Sequence, residues 1–150
     1  VDLILGAEKN TLSDKLQQRI SDYTRQGGNL MVSGSYLGSI LPSSLAQNTL
    51  KFTHGGSMYG VTTGQVFGAN TTLSFPTQVN EKSYAVPAPD CLLPTAGAYS
   101  TFVYTPGNYG AGIAYKGTDF RTFVLGFPFE SIDNAQHRSR IMKAALDLFK

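Results

Sequence analysis

The sequence predicts an α/β fold, and three observations support this class. Residues 11–28, TLSDKLQQRISDYTRQGG, repeat apolar positions with the period of a helix. Residues 29–34, NLMVSG, follow directly as a buried strand, and a second helical pattern closes the chain. Together with DLIL near the start, the first two segments indicate a strand–helix–strand unit.

The first helix is predicted to begin at Thr11, which can cap it, and to end at Gly27 and Gly28. Its apolar side chains recur at helical spacing, at Leu12, Leu16, Ile20 and Tyr23. The strand that follows is continuously apolar rather than alternating, a pattern typical of strands that are buried on both faces. Residues 2–5, DLIL, are the predicted preceding strand.

The helical period disappears between about residues 50 and 98. The segment KFTHGGSMYGVTTGQVFGANTTLSFP contains short β-like pieces separated by glycine and asparagine, and VPAPDCLLP carries three prolines. These features predict β-hairpins and an extended loop in the middle of the chain.

Three strands and a helix are predicted after residue 98. The strands YSTFVY, GAGIAY and RTFVLGF are separated by the turn sequences TPGNYG and KGTD, which favours an antiparallel meander. The last helix is predicted to begin near Asp133 or Asn134. Its apolar face comprises Ile141, Met142, Ala145, Leu146 and Phe149.

These elements together predict a single α/β domain over residues 1–150. The expected architecture is a Rossmann-like or flavodoxin-like three-layer sandwich with a β-hairpin insertion and an antiparallel meander at its edge. Seven apolar side chains are expected to be buried together: Leu16, Ile20, Leu30, Val32, Phe123, Leu125 and Leu146. The chain begins abruptly with VDLILG rather than with methionine, so we expect it to be part of a longer protein.

The composition argues against several classes of function. Charged residues make up 15% of the chain and the net charge is +2, so the charge pattern of a nucleic-acid-binding protein is missing. No segment approaches the roughly 18 consecutive apolar residues of a membrane span. The low charge, the eight tyrosines and the single cysteine favour a secreted bacterial protein, in the periplasm or at the cell surface.

Ser35 raises the question of a serine nucleophile, because NLMVSGSYLGS leads an apolar strand into a turn rich in glycine and serine. A nucleophile elbow of the G-x-S-x-G type needs small residues two positions before and after the serine. Ser33 and Leu37 occupy those positions, so the motif does not match. A nucleophilic serine also needs a base, which is usually a histidine, and the chain offers only His54 and His137. A turn residue or helix cap is therefore the favoured interpretation of Ser35.

Other candidate residues give weaker signals. Glu130, in VLGFPFES, either orients a partner group at the sheet edge or stabilises the start of the last helix through the helix dipole, and the sequence favours neither. Cys91 lies between prolines and leucines and is predicted to be a buried, unreactive thiol. The spacing of His, Asp and Glu indicates no metal site, GNYGAG is not a phosphate-binding loop, and no cofactor is predicted.

The tyrosines offer a further possibility, because exposed rings in one groove could stack on sugars. Six of them are candidates: Tyr59, Tyr84, Tyr99, Tyr104, Tyr109 and Tyr115. Strand positions account for several of the six, so packing within the sheet is the favoured role.

The segment FVLGFPFES, followed by a helix that ends in ALDLF, resembles the closing segment of class I glutamine amidotransferase-like domains. In that family a strand leads into a Q-F-H-P-E-S type motif, and Phe127, Glu130 and Ser131 match its Phe, Glu and Ser. Pro128 occupies the place of the catalytic histidine, and VSGSYLG lacks the cysteine of the family's G-x-C-x-G elbow. The resemblance implies a domain that retains only the orienting acid of a triad.

The blocks DLILG, GGNLMVSGSYLGS and LGFPFE resemble, in the same order, the Rossmann-like domain of secreted multidomain bacterial proteins labelled xanthan-lyase-like or golvesin-like. This resemblance spans most of the chain and implies neighbouring domains of the same polypeptide as partners. A polysaccharide lyase needs a proton-abstracting base and a group that neutralises the uronate carboxylate. No such constellation of Tyr, His, Arg or Lys is visible in the sequence.

The predicted function is that of a non-catalytic accessory or interaction domain of a secreted bacterial protein that handles glycans or cell-surface material. One alternative is a hydrolase or amidotransferase-like enzyme that uses Ser35 with Glu130. A second is a small carbohydrate-binding module that uses the tyrosines and the HGGSMYG loop. The amidotransferase-like arrangement implies that the loop after NLMVSG and the end of FVLGFPFE meet at the carboxyl edge of the sheet, so Ser33, Ser35 and Glu130 are expected to lie close together there. There Glu130 would accept hydrogen bonds from backbone amides or serine hydroxyls.

Overall fold

The computed structural model describes residues 2–4, 9, 11–59, 63–66, 72–74, 85–86, 88–105 and 107–150. The helices within these ranges are α1 (Asp14–Arg25), the single turn α2 (Leu37–Ile40) and α3 (Ala135–Leu148), with a π-helical turn at Leu45–Thr49 and a 3₁₀ turn at Phe129–Ser131. The strands are β1 (Asp2–Ile4), β2 (Leu30–Ser33), β3 (Phe52–Ser57), β4 (Thr63–Val66), β5 (Thr72–Ser74), β6 (Asp90–Pro94), β7 (Ala98–Thr105), β8 (Tyr109–Lys116) and β9 (Arg121–Leu125).

The described strands form two sheets. The larger has the order β1-β2-β9-β8-β7-β4-β5, and the smaller pairs β3 with β6. Strands β1, β2 and β9 are parallel, whereas every other pairing in the large sheet is antiparallel. The predicted strand–helix–strand unit is confirmed as β1-α1-β2, and the predicted meander is confirmed as β7-β8-β9.

Helix α1 ends as predicted but begins two residues later than expected. Ser13, not Thr11, is the cap, and its hydroxyl accepts the Leu16 amide at 3.4 Å. At the other end Gly27 takes a left-handed φ of 86°, which glycine adopts without a Cβ clash. The Gly28 and Gly27 amides then donate to the Tyr23 and Thr24 carbonyls at 2.9 Å, which satisfies the last turn of the helix.

Helix α3 begins after Asn134, as predicted, and Asn134 Oδ1 accepts the Gln136 and His137 amides. Its last turn is held by two side chains at the starts of β2 and β9. Asn29 Nδ2 and the Arg121 guanidinium both donate to the Phe149 carbonyl, at 3.2 and 2.8 Å. A cation at this position also complements the negative end of the helix dipole.

The predicted Rossmann-like or flavodoxin-like three-layer sandwich is wrong. Such a fold covers a mostly parallel sheet with several helices on each face, whereas here the sheet is mostly antiparallel and α1 and α3 are the only described helices longer than one turn. The small sheet of β3 and β6 covers much of the α1 face, where Phe52 and Leu92 pack on Ile113 and Val124. The short turns of the meander leave no room for crossover helices, so parallel pairing stops at β9. The meander also lies inside the sheet rather than at its edge.

The predicted single core is also wrong, because the large sheet separates two hydrophobic clusters. Ile20, Leu30 and Val32 lie on the face covered by α1, whereas Phe123 and Leu125 lie on the face covered by α3. Leu16 and Leu146 belong to neither cluster and are 37% and 53% exposed. Strand β2 supplies both faces, which explains its continuously apolar sequence.

The middle of the chain is partly as predicted. Strands β4 and β5 pair antiparallel, as expected for a hairpin. The segment predicted to be an extended loop contains strand β6 over residues 90–94, which pairs with the distant β3. Tyr84 and several other residues of this region lie outside the described residues.

Candidate functional site

The loops that follow β2 and β9 emerge side by side at one edge of the large sheet. The two strands are parallel, with Ser33 opposite Leu125, and the Gly34 amide donates to the Leu125 carbonyl at 3.3 Å. This is the carboxyl edge, where the sequence analysis expected Ser33, Ser35 and Glu130 to meet. The juxtaposition of the two loops is confirmed.

The geometry of Ser35 does not resemble that of a nucleophile. Ser33 and Ser35 are fully buried, and neither hydroxyl has a hydrogen-bond partner among the described residues. Neither hydroxyl therefore donates to Glu130, so the hydrogen bonds that were expected from the serine hydroxyls to Glu130 are not formed. The left-handed residue of this strand-to-helix turn is Tyr36, with a φ of 60°, and not the serine.

Glu130 lies half-buried in the 3₁₀ turn between β9 and α3. The turn is closed by its neighbour, since Ser131 Oγ donates to the Pro128 carbonyl at 2.6 Å. Pro128 itself, at the position that the amidotransferase resemblance assigns to a histidine, caps the turn in an extended conformation. A side chain that could act as a base is thus missing from the position where that family places one.

The polar centre of this edge is Asp90, the first residue of β6, which the sequence analysis did not single out. Its side chain is fully buried. Oδ2 accepts the Gly38 amide at 2.9 Å, and Oδ1 lies 3.2 Å from His54 Nε2 and 3.3 Å from the donating Ser57 hydroxyl. A buried carboxylate requires such partners, because an isolated charge would be strongly disfavoured away from water.

The backbone of Asp90 is held as firmly as its side chain. Its amide donates to the Gly126 carbonyl at 2.7 Å, and its carbonyl accepts the Tyr104 hydroxyl at 2.9 Å. The residue therefore connects helix α2, strand β3, strand β7 and the end of β9. We call Asp90, His54, Ser57 and Gly38 the Asp90 cluster.

His54 is positioned by close packing against α2. A Cβ added to Gly38 would lie 2.0 Å from His54 Cγ, so the imidazole ring rests directly on the glycine backbone. The side chain is 30% exposed. The carboxylate of Asp90 favours the tautomer that carries its proton on Nε2, which directs the ring's other nitrogen away from Asp90.

Burial dominates the ionisation of the groups around Asp90. It raises the pKa of the Asp90 carboxyl above its ordinary value of 3.8, although the Gly38 amide, His54 and Ser57 oppose the shift. Burial also raises the pKa of the Tyr104 hydroxyl well above 10, and that of the Cys91 thiol above 9.0. Cys91 is buried, as predicted, and a raised pKa lowers its thiolate population.

The raised pKa of Asp90 predicts a pH dependence of stability. The folded protein binds this proton more tightly than the unfolded chain, so wild type should lose stability relative to Asp90→Asn as the pH rises from 3.8 through the folded pKa. Urea unfolding of both proteins between about pH 3 and pH 7 measures the difference.

Asp147 provides a control of opposite sign for that experiment. Its ion pairs with Lys143 and Lys150 lower the pKa of its carboxyl to about 2. The stability that it contributes should be present above 3.8 and lost as the pH falls towards 2, and added salt should weaken it. A difference between wild type and Asp90→Asn that is constant with pH, or that changes in the Asp147 sense, would contradict the assignment.

Asp90 orients His54, but the Asp90 cluster does not form a Ser–His–Asp catalytic relay. A catalytic relay needs a histidine between the acid and the nucleophile. Here Ser57 donates to the same carboxylate oxygen as His54, so its hydroxyl proton is already committed to Asp90. What the arrangement achieves is a polar connection between the small sheet and the carboxyl edge of the large one.

The described tyrosines differ widely in exposure, and Tyr59 is the most exposed of them at 74%. Tyr99 and Tyr109 are half-exposed, but they lie at opposite ends of the β7–β8 pair. Tyr104 is fully buried, and Tyr115 packs at a tilt against Phe120 with Lys51 Nζ 4.7 Å from its ring centre. Sheet packing therefore accounts for Tyr104 and Tyr115.

Two further kinds of site are missing from the described part of the chain. No group of three His, Cys, Asp or Glu side chains there is placed to hold a metal ion. No helix in the same ranges is both long and apolar enough to cross a lipid bilayer.

Comparison with known proteins places the fold among domains of larger chains. No family model and no curated protein sequence matches the chain. A β-galactosidase from the haloarchaeon Halorubrum lacusprofundi is 15% identical with a TM-score of 0.62, over 93% of this chain and 21% of that one. The exo-β-1,4-mannosidase Op5Man5 from Opitutaceae bacterium strain TAV5 is 8% identical with a TM-score of 0.59, over 95% of this chain and 23% of that one.

A third structural match has a name that does not refer to an enzyme acting on carbohydrate. The N-terminal domain of mmIFT52 is 12% identical with a TM-score of 0.60, over 95% of this chain and 74% of that one. At these identities the likeness concerns the fold alone. The chain spans about a fifth of the two glycosidases, and its fold resembles one part of each of them.

Proposed function

We propose that this chain is a non-catalytic accessory domain within a larger polypeptide that acts on carbohydrate. The main support for the proposal is that the fold match extends over almost the whole chain. Almost the whole chain superimposes on a fifth of a β-galactosidase and of a mannosidase, which is the relation expected of one domain in a multidomain enzyme. The low charge and high tyrosine content support a secreted or cell-surface location for that polypeptide.

The geometry of the carboxyl edge supports the same proposal. Ser35 is buried without a base, Pro128 stands where the resemblance to amidotransferase-like domains calls for histidine, and Ser57 donates to Asp90. Asp90, with hydrogen bonds from its side chain and its backbone, therefore serves to join segments of the fold. An accessory domain retains such a centre for stability, whereas an enzyme with a serine nucleophile would need a hydroxyl that donates to a histidine.

The test is an activity assay of the 150-residue chain with chromogenic β-galactoside and β-mannoside and with glutamine. We expect no turnover above that of a His54→Ala control, and no labelling of Ser35 or Ser57 by a fluorophosphonate probe. Turnover that depends on His54, or labelling of either serine that His54→Ala abolishes, would replace the proposal with the enzyme alternative. The second part of the proposal is that the chain belongs to a larger polypeptide. Detection of the native polypeptide with an antibody tests it, since a product of only 150 residues would contradict it.

A further inference from the structure

A polar cleft of about 400 Å³ lies between helix α1 and the π-helical turn Leu45–Thr49. Its α1 side includes positions 14, 18, 21 and 25, which recur at intervals of three and four residues and therefore share one face of the helix. A volume of this size is at the lower end of the range for small-molecule sites. We call this feature the α1 cleft, and the chemistry of its lining decides which ligand it can hold.

Two glutamines that line the α1 cleft are held by hydrogen bonds from their amide nitrogens. Gln17 Nε2 donates to the Leu12 carbonyl at 2.6 Å, and Gln18 Nε2 donates to Asp22 Oδ1 at 2.8 Å. Within the described residues, neither glutamine Oε1 atom accepts a hydrogen bond. Each side chain is thus restrained in advance and keeps a carbonyl oxygen for a ligand hydroxyl, which lowers the entropy cost of binding.

Four further polar side chains of the lining are not used by the fold. Those of Ser21, Ser44, Asn48 and Thr49 make no hydrogen bond with other residues that the structure describes. Thr49 is only 8% exposed. Buried hydroxyl groups normally have a hydrogen-bond partner, so a polar molecule in the cleft would satisfy Thr49.

The charges and the apolar part of the lining narrow the class of ligand. Asp14 and Arg25 both line the cleft and are about 16 Å apart along the helix axis. One acid and one distant cation cancel each other, which favours a neutral ligand. Pro42 and Leu45 supply apolar surface in the same cleft. A neutral sugar carries many hydroxyl groups and an apolar face of C–H bonds, and this lining offers partners for both.

We propose that the α1 cleft is a binding site for a neutral glycan, with room for about one or two sugar units. The amide and hydroxyl side chains of the lining bond the sugar hydroxyls, and the C–H face of a ring packs on Pro42 and Leu45. The choice of a sugar over other neutral polyols rests on the carbohydrate-related role proposed above. A few neutral hydrogen bonds in an open cleft give a weak site, with a Kd of about 1 mM.

Titration of the ¹⁵N-labelled chain with lactose and with β-1,4-mannobiose, followed by two-dimensional NMR, tests the proposal. We expect saturable shifts of amide signals within residues 14–25 and 42–49 with at least one disaccharide. Asn48→Ala and Gln18→Ala should each weaken binding about fivefold, the usual effect of one lost neutral hydrogen bond. Gln47→Ala is the matched control, since Gln47 is an exposed amide of the same turn that does not line the cleft, and it should leave binding unchanged.

The same spectra show whether each variant has folded, because a folded chain keeps its dispersed amide signals. Absence of saturable shifts with both disaccharides, or binding that Asn48→Ala and Gln18→Ala do not weaken, overturns the proposal. Titration with myo-inositol, a neutral polyol that is not a sugar, tests the ligand class, and binding as tight as that of the disaccharides would exclude a glycan site. Each of these failures leaves the accessory-domain proposal intact, because enzyme activity and polypeptide size test that proposal separately.

Discussion

Replacement of Asp90 by alanine is expected to lower the free energy of unfolding by about 3 kcal/mol, because it removes the shared acceptor of a hydrogen-bond network. The substitution leaves the half-buried Gly38 amide and Ser57 hydroxyl without their acceptor, and His54 without its partner. It also leaves a cavity where the carboxylate packed. Urea unfolding followed by circular dichroism measures the change.

Two variants sharpen that experiment. Asp22→Ala is the matched control, because Asp22 also accepts from two side chains, Gln18 and Arg25, but in solvent. Its effect should stay below about 1 kcal/mol, the usual range of exposed ion pairs. Asp90→Asn keeps one acceptor oxygen and should fall between the two. A loss in Asp90→Ala no larger than that in Asp22→Ala would show that the Asp90 cluster does not hold the two sheets together.

Replacement of Gly126 by alanine is expected to destabilise the protein by about 3 kcal/mol, the upper part of the range for overpacked cores. The added Cβ would lie 2.2 Å from the Asp90 carbonyl oxygen and 3.0 Å from the Tyr104 hydroxyl. The carbonyl cannot move aside easily, because it accepts from Tyr104 while the Asp90 amide donates to the Gly126 carbonyl. Relief of the clash must therefore break this junction between β6 and β9.

Gly28→Ala is the matched control for that substitution. Its Cβ would lie equally close to a neighbour, 2.4 Å from the Tyr23 ring, but that neighbour is the end of a partly exposed side chain. The ring can rotate towards solvent at the cost of the exposed hydrogen bond from its hydroxyl to the Asn29 carbonyl, so we expect a loss below about 1.5 kcal/mol. Thermal or urea unfolding of both variants distinguishes a backbone clash from a side-chain clash. Equal losses would argue against a rigid junction at Asp90.

The candidate site explains why Ser35 stood out in the sequence and Asp90 did not. Ser35 attracted attention because it follows an apolar strand, a position that local sequence reveals. His54 and Asp90 are 36 residues apart, and they meet through the pairing of β3 with β6. The only local signal of Asp90 is an acid between prolines and an apolar run, which is also typical of a loop.

The sequence by itself determined the local elements of this protein: the glycine stop of α1, the Asn134 cap of α3, the buried strand β2 and the antiparallel meander. Helical period, caps and turn residues act over a few positions, so a short window of sequence contains the physical cause. Only the tertiary structure decided the fold class, because it depends on which strands pair. It likewise separated Ile20 from Phe123, exposed Leu146 and buried Asp90. Each of these outcomes depends on contacts between residues that are distant in the chain, and no local pattern carries that information.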